Sequence, residues 1–175
     1  MEIAECVYFI KKAISISEKT QTWADLGCGS GVFTLSLARL LPAGSIIYAI
    51  DKVSQQIPDQ THNGVHIYFI KSDIAYLDLN VSNLDGIIMA NALHYMENQY
   101  EVVCRLGKLF KEKKQFILIE YDTSISNQWV PYPIPFSNLN KLFPADKYDI
   151  NKIAERKSIY EQNNMYCALI TTKNN

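Results

Sequence analysis

The sequence is poor in the residues from which metal sites and disulfide frameworks are built. Its 175 residues include four cysteines and three histidines, and no two cysteines stand at the short spacing that zinc sites use. We therefore predict no metal site. We interpret the cysteines as free thiols of a protein in a reducing cytoplasm.

The sequence also lacks a surplus of charge of either sign. It has 17 lysines and arginines against 18 aspartates and glutamates, a formal net charge of -1. A chain so balanced has no general attraction for polyanions, so we expect no nucleic-acid partner. A local basic patch is not excluded by this argument.

Long apolar runs are missing as well. No run approaches the roughly 20 apolar residues that a membrane-spanning helix needs. Near the N-terminus, Lys11 and Lys12 follow the apolar residues instead of preceding them, which is unlike a secretory signal. We therefore expect a cytoplasmic protein with no membrane partner.

What the sequence does contain is an alternation of short apolar runs with amphipathic stretches. The apolar runs predict strands at 21–26, 46–51, 65–70, 84–91 and 116–122. Apolar residues at helical spacing predict helices at 2–18, 32–41, 97–112 and 136–143, with room for a short helix in 52–64. Two last strands are predicted at 155–161 and 165–172, joined by a turn at 162–164.

This order of elements predicts the fold class. Strands that alternate with helices favour right-handed crossovers and a parallel sheet, whereas a three-residue connection favours an antiparallel hairpin. We therefore predict an α/β fold with a seven-stranded, mostly parallel sheet and a C-terminal antiparallel hairpin. The length suits one domain over 1–175, with an N-terminal helix within 1–20.

A glycine-rich segment follows the first predicted strand. Gly27, Gly29 and Gly31 stand at alternate positions, directly before a predicted helix that starts at Val32. Glycine lets a backbone turn sharply and approach a ligand closely, because it has no Cβ. A strand, a glycine loop and a helix in succession are typical of the nucleotide-binding corner of an α/β sheet.

The details of this segment argue against a pyrophosphate ligand. The dinucleotide pattern G-x-G-x-x-G would place its third glycine at Val32, and Asp25 precedes the loop by two residues. A carboxylate repels a pyrophosphate and attracts an ammonium or sulfonium group. Cys28 occupies a variable position of the loop, so we expect its side chain to pack and to do no chemistry.

The segment from Asp25 to Gly31 resembles, without a gap, the glycine-rich first motif of class I S-adenosylmethionine-dependent methyltransferases. The C-terminal hairpin also matches this family, so the resemblance covers nearly the whole chain. It implies a Rossmann-like three-layer sandwich, methyltransferase activity and S-adenosylmethionine as the cofactor.

The resemblance further implies roles for residues at strand ends. Asp51, 20 residues after Gly31, matches the acid that binds the ribose hydroxyls. Asp73 matches the acid that commonly binds the adenine amino group, with Ile74 beside the ring, and Asn91 matches a residue at the methionine end. The residues expected to contact the cofactor are Asp25, Gly27, Cys28, Gly29, Gly31, Asp51, Lys52, Asp73, Ile74 and Asn91.

Acceptor-binding residues are expected after the fourth and fifth strands, because ligands of open α/β sheets lie beyond the carboxyl ends of the strands. We predict catalytic roles for His94 and Tyr95, with His94 as general base where the acceptor must lose a proton. An alternative, that His94 caps or packs at the start of the next helix, stays open. The substrate-binding candidates are His94, Tyr121, Trp129 and Tyr132.

The proline-rich segment 123–135 is the second candidate for the acceptor site. Long irregular loops at this end of a sheet are usually functional, so we predict that 123–135 is a lid over the acceptor pocket. The alternative is a surface loop whose aromatic side chains pack on the sheet edge.

The predicted function is methyl transfer to a small-molecule acceptor. Asn91-Ala92-Leu93-His94 stands where the adenine- and amide-nitrogen methylases of the family carry Asn/Asp-Pro-Pro-Tyr/Phe, so the chain looks more like the small-molecule branch. Two alternatives stay open: a non-catalytic module that binds S-adenosylmethionine, and an RNA or protein methyltransferase. Neither the acceptor nor the oligomeric state can be read from the sequence.

Overall fold

A seven-stranded sheet organises the structure, a computed structural model that describes residues 1–15, 17–76, 81–157 and 164–173. The strands are β1 (Thr22–Leu26), β2 (Ile46–Asp51), β3 (His66–Lys71), β4 (Gly86–Ala90), β5 (Gln115–Tyr121), β6 (Tyr148–Lys157) and β7 (Asn164–Thr172).

The strands lie in the order β3-β2-β1-β4-β5-β7-β6. The first five pair in parallel, and β7 pairs antiparallel with both β5 and β6. The order reverses between β1 and β4. From β1 the chain continues to β2 and β3 on one side of the sheet, and then crosses to β4 and β5 on the other side of β1. In parallel sheets such a reversal opens a crevice at the carboxyl ends of the strands. The predicted fold class is confirmed.

The largest correction to the predicted strands concerns β6. It begins at Tyr148, seven residues before the predicted start at 155. The cause is its place at the sheet edge, where pairing with β7 defines the strand although each of its residues is exposed or only partly buried. Residues 158–163, with most of the predicted turn at 162–164, lie outside the described residues.

The helices are shorter than predicted. They are α1 (Ile3–Ile10), α2 (Val32–Ala38), α3 (Gln99–Leu106) and α4 (Leu139–Leu142), with one-turn 3-10 helices at Lys11–Ala13, Ile74–Tyr76, Leu93–Tyr95 and Phe136–Asn138. After α1 the backbone becomes extended by Ile14, although Ala13 and Ile14 remain buried. The apolar spacing therefore marked the packing face correctly and the helix end wrongly. Residues 52–64 contain no helix.

Apolar side chains cover both faces of the sheet. On one face Ala24 and Leu26 join the core that includes α3 and α4, and on the other Trp23 joins the core that includes α1 and α2. The period of two along β1 thus supplies both cores from one strand. The result is the predicted three-layer sandwich. Within the described ranges, no helix is long and apolar enough to cross a membrane.

Candidate functional site

The glycine loop after β1 has a left-handed backbone at each of its three glycines. The φ angles of Gly27, Gly29 and Gly31 are +74°, +50° and +81°, a region that side chains with a Cβ rarely adopt. The amides of Gly27 and Cys28 both donate to the carbonyl of Ile50, at 2.8 and 3.0 Å. The loop is therefore fastened to the end of β2.

The three glycines differ in the space around them. A Cβ at Gly27 would lie 2.6 Å from the Cβ of Ala92, and one at Gly31 would lie 2.9 Å from Ile57 Cδ1. At Gly29, no heavy atom of the described residues other than the glycine and its two chain neighbours lies within 4 Å of that position. The loop is thus closed against neighbouring chain at two glycines and open at the middle one.

Asp51 links the loop to the end of β2 through its side chain. Its Oδ2 accepts a hydrogen bond from the Gly29 amide at 2.9 Å, and its Oδ1 accepts one from the Val53 amide at 2.9 Å. A carboxylate oxygen has more than one lone pair, so each oxygen can accept a further bond from a ligand. Asp73 is held similarly, since its Oδ1 accepts from the Ala75 amide at 2.9 Å.

A cavity of about 420 Å³ lies beside these residues, at the carboxyl ends of β1, β2 and β4. This volume is within the range of small-molecule sites. The cavity brings together six of the ten predicted cofactor residues and one predicted catalytic residue. Its lining residues are Gly27, Asp51, Lys52, Asp73, Ile74, Asn91, Ala92, Tyr95 and Met96.

Asp25 lies beneath the loop and does not line the cavity. Its side chain is 1% exposed, and its Oδ2 accepts a hydrogen bond from Thr34 Oγ1 at 2.6 Å. Burial raises the pKa of Asp25 from the ordinary value of 3.8 to about 7; the Thr34 bond opposes this rise and the charge of Asp51 adds to it. Its other oxygen, Oδ1, is buried and has no hydrogen-bond partner in the described part of the chain.

Asn91 supplies a second buried oxygen without a partner. It follows β4 with a φ of +51°, and its amide donates to the carbonyl of Ile119 at 2.8 Å. Asn91 lines the cavity, and its Oδ1 has no hydrogen-bond partner among the described residues. A buried acceptor left unpaired is unfavourable, so Asn91, which lines the cavity, suits a ligand that brings N–H donors.

Cys28 behaves as predicted for a packed side chain. It is buried, its Sγ lies 3.7 Å from the Gly29 carbonyl oxygen, and burial raises the pKa of its thiol. A thiol that stays protonated is a poor nucleophile. Only the backbone of Cys28 can therefore contribute to the loop. No group of three or more metal-binding side chains occurs in the described parts of the chain.

Glu120 is a site residue that sequence reasoning missed. It lies on β5, is 1% exposed, and its Oε2 is 2.5 Å from Nδ1 of His94, which is also 1% exposed. Its other oxygen, Oε1, accepts the backbone amides of Leu93 at 3.0 Å and His94 at 3.4 Å. The available signal was an acid within an otherwise apolar run, a residue type that is buried only when it is paired.

His94 itself lies behind the cavity wall. It is not a lining residue, and its ring centroid is 4.4 Å from that of Tyr95, which lines the cavity and is half-exposed. The centroid of the Tyr121 ring is 6.1 Å from that of the His94 ring. The structure thus gathers two of the four substrate-binding candidates into one aromatic cluster with Tyr95.

Segment 123–135 packs against this cluster through its backbone. The Tyr132 amide donates to the His94 carbonyl at 3.0 Å, and Gln99 Nε2 donates to the Tyr132 carbonyl at 2.7 Å. Val130 is buried, whereas Trp129 is 68% exposed. Neither Trp129 nor Tyr132 lines the cavity.

Comparisons with known proteins agree with this site and fold. The family described as Methyltransferase domain matches residues 17–173. An uncharacterized methyltransferase of Mycobacterium bovis is 29% identical over 90 residues, which are 51% of this chain and 45% of that protein. The match to such curated relatives therefore spans less than half of their length.

Solved methyltransferases share the fold at low sequence identity. The 1,6-didemethyltoxoflavin-N1-methyltransferase of Burkholderia thailandensis superimposes with a TM-score of 0.70 at 15% identity, covering 99% of this chain and 78% of that one. A putative S-adenosylmethionine-dependent methyltransferase of Listeria monocytogenes gives 0.69 at 15% identity, covering 99% and 100%. Since the family match extends over nearly the whole sequence, the chain belongs to the methyltransferase domain family, and its resemblance to class I S-adenosylmethionine-dependent methyltransferases is confirmed.

Proposed function

We propose that the chain binds S-adenosylmethionine in the cavity beside the glycine loop and transfers its methyl group to a small-molecule acceptor. One observation carries the proposal. The cavity collects the glycine loop, two strand-end carboxylates and the unpaired Asn91 oxygen at the reversal of strand order. This is the place where open α/β sheets bind nucleotide-like ligands.

The residues of the cavity fit the parts of this cofactor. Asp51 has carboxylate lone pairs left for the ribose hydroxyls, and Asp73 has its Oδ2 left for the adenine amino group. Ile74 is an apolar lining residue beside them. The unpaired Oδ1 of Asn91, which lines the cavity, matches the N–H donors of an ammonium group. Asp25 does not line the cavity, and its contribution is the charge that its buried carboxyl group carries once it is deprotonated.

The protein contributes orientation and exclusion of water to such a transfer. When bound, S-adenosylmethionine supplies a methyl group attached to a positively charged sulfur. Tyr95 and Met96, which follow β4, line the same cavity. His94 stays the predicted base, and this role requires the acceptor to reach a ring that is now covered by its neighbours.

Support for a small-molecule acceptor comes from the sequence after β4, Asn91-Ala92-Leu93-His94. The Burkholderia thailandensis methyltransferase named above acts on 1,6-didemethyltoxoflavin, by its name. The balanced charge of this chain offers no general attraction for RNA. A non-catalytic binding module would share the cavity, so turnover must be measured separately from binding.

Calorimetric titration with S-adenosylmethionine and with S-adenosylhomocysteine tests the proposal. We expect both to bind, and Asp51→Ala to weaken binding by about tenfold or more, because two backbone contacts and the ligand contacts are lost together. Asp149→Ala, which removes an exposed carboxylate on the edge strand, is the matched control. Absence of binding at about 1 mM ligand would refute the cofactor assignment.

Turnover distinguishes an enzyme from a binding module. We expect S-adenosylhomocysteine to form when S-adenosylmethionine and a panel of small heterocyclic and phenolic acceptors are supplied together. Binding of both ligands without product from any acceptor would favour the non-catalytic alternative.

A further inference from the structure

We propose that Glu120 is a positioning residue, which acts through His94 to hold the turn of residues 92–96. This turn forms one wall of the cavity and also the surface on which segment 123–135 docks. The role of the cavity rests on the proposed function, whereas the link between Glu120, the turn and the segment does not.

Glu120 is paired with His94 through its side chain. The Glu120 carboxyl group is buried and makes its side-chain hydrogen bond to the His94 ring, and no lysine or arginine of the described residues forms an ion pair with it. A buried carboxylate without a partner is strongly unfavourable, so the His94 ring is held where it satisfies Glu120. The short contact therefore fixes the ring orientation of His94.

Glu120 also accepts hydrogen bonds from the backbone of the turn. While Oε2 faces the ring, Oε1 accepts the amides of Leu93 and His94, which open the 3-10 turn Leu93–Tyr95. These amides lie at the start of a helical turn, where backbone donors have no partner within the turn. One side chain on β5 thus fixes both the backbone and a side chain of a segment 26 residues earlier in the chain.

The turn of residues 92–96 contributes both to the cavity wall and to the contact with segment 123–135. Ala92, Tyr95 and Met96 line the cavity. The Cβ of Ala92 lies 2.6 Å from the position that a Cβ of Gly27 would occupy. The His94 carbonyl also accepts a hydrogen bond from the Tyr132 amide, which links the turn directly to segment 123–135. A shift of the turn therefore moves the cavity wall and the docking surface together.

Hydrogen exchange of the Tyr132 amide tests this directly. In Glu120→Ala the three contacts are lost, so we expect this amide to exchange at least about tenfold faster than in the wild type. The Gly44 amide, which is bonded to the Gly64 carbonyl far from the site, is the internal reference and is expected to keep its rate. Glu155→Ala is the matched control variant, because Glu155 faces the same residue of β7, Tyr166, from the exposed edge strand.

Glu120→Gln provides the conservative comparison. Its amide oxygen can accept from the Leu93 amide while its NH₂ donates to Nδ1 of His94, so we expect Tyr132 exchange within about threefold of the wild type. The proton on the His94 ring must then move to Nε2, which ¹⁵N NMR of the three histidine rings detects. A merely volume-filling role would not change the ring tautomer.

The outcomes separate this proposal from the cofactor assignment. Equal Tyr132 exchange in Glu120→Ala, Glu155→Ala and wild type would overturn the positioning role. If Glu120→Ala does not fold, an unchanged His94 tautomer in Glu120→Gln would overturn it instead. Failure of the wild type to bind S-adenosylhomocysteine would refute the proposed function and leave the exchange result to decide the role of Glu120.

Discussion

Asp25 accepts a 2.6 Å hydrogen bond from Thr34 Oγ1 through one oxygen, and its other oxygen is buried with no hydrogen-bond partner among residues 1–15, 17–76, 81–157 and 164–173. Asp25 was expected from the sequence to contact the cofactor, and in the folded protein burial makes its charged form unfavourable. Unfavourable buried groups of this kind are common at functional sites, where a ligand can stabilise them.

Asp25 makes stability depend on pH. Its pKa is about 7 in the folded protein and near 3.8 when unfolded, so between these values the folded state binds more protons and its stability falls as pH rises. We expect Asp25→Asn to have little effect on the free energy of unfolding near pH 4. At pH 8 the substitution should raise the free energy of unfolding by on the order of 1 to 4 kcal/mol.

Urea unfolding at the two pH values measures this difference. Asp59→Asn, which changes an exposed carboxylate, is the control and should leave both values unchanged. An Asp25→Asn variant that is equally or less stable than the wild type at pH 8 would contradict the pKa assignment.

Ligand binding should release protons from Asp25. An ammonium group near the carboxylate favours its charged form, so at pH 7 we expect binding of S-adenosylhomocysteine to release up to about 0.5 proton. Titration calorimetry in two buffers with different ionisation enthalpies measures the number. In Asp25→Asn the release should disappear, and identical heats in both buffers for the wild type would show that Asp25 does not respond to the ligand.

The glycine loop offers a comparison between two glycines. Gly27→Ala introduces a methyl group 2.6 Å from Ala92 at a left-handed residue, so we expect a loss of about 2 to 4 kcal/mol in unfolding free energy. Gly29→Ala has the left-handed strain without the clash, so we expect a loss of about 1 to 2 kcal/mol. Thermal or urea unfolding checks the order, and a greater loss at Gly29 would be inconsistent with the loop geometry.

A third glycine separates core packing from the site. A Cβ at Gly86 would lie 2.2 Å from the Trp23 ring, which is buried across the parallel pair of β1 and β4. We expect Gly86→Ala to lower the unfolding free energy by about 2 to 4 kcal/mol. Because Gly86 is at the opposite end of β4 from Asn91, ligand affinity measured well below the melting temperature should be unchanged.

The sequence predicted several of the residues that meet at the cavity, because the signals for them are local. The alternate glycines and the acids at strand ends can be read without knowing the pairing of distant segments. Six of the expected cofactor residues indeed line the cavity. Asp25 has a different setting from the one expected, since its charge acts from below the loop and not from the cavity wall.

The parts that the sequence did not predict depend on long-range contacts. Glu120 looked like one more strand residue, because its partner His94 is 26 residues away and adjacent only through the pairing of β4 with β5. The start of β6 was missed for a similar reason, since Tyr148 and its neighbours are defined as a strand by β7. Local apolar patterns contain neither relationship.

The most direct test of the central claim is to locate the ligand on the protein. Amide ¹H–¹⁵N spectra recorded during titration with S-adenosylhomocysteine report which backbone groups sense it. We predict the largest shifts at Gly27, Gly29, Asp51, Asp73 and Asn91, around the cavity at the carboxyl ends of β1, β2 and β4. Shifts centred instead on the groove between α1 and β6, near Tyr8 and Arg156, or no shifts at all, would contradict the account.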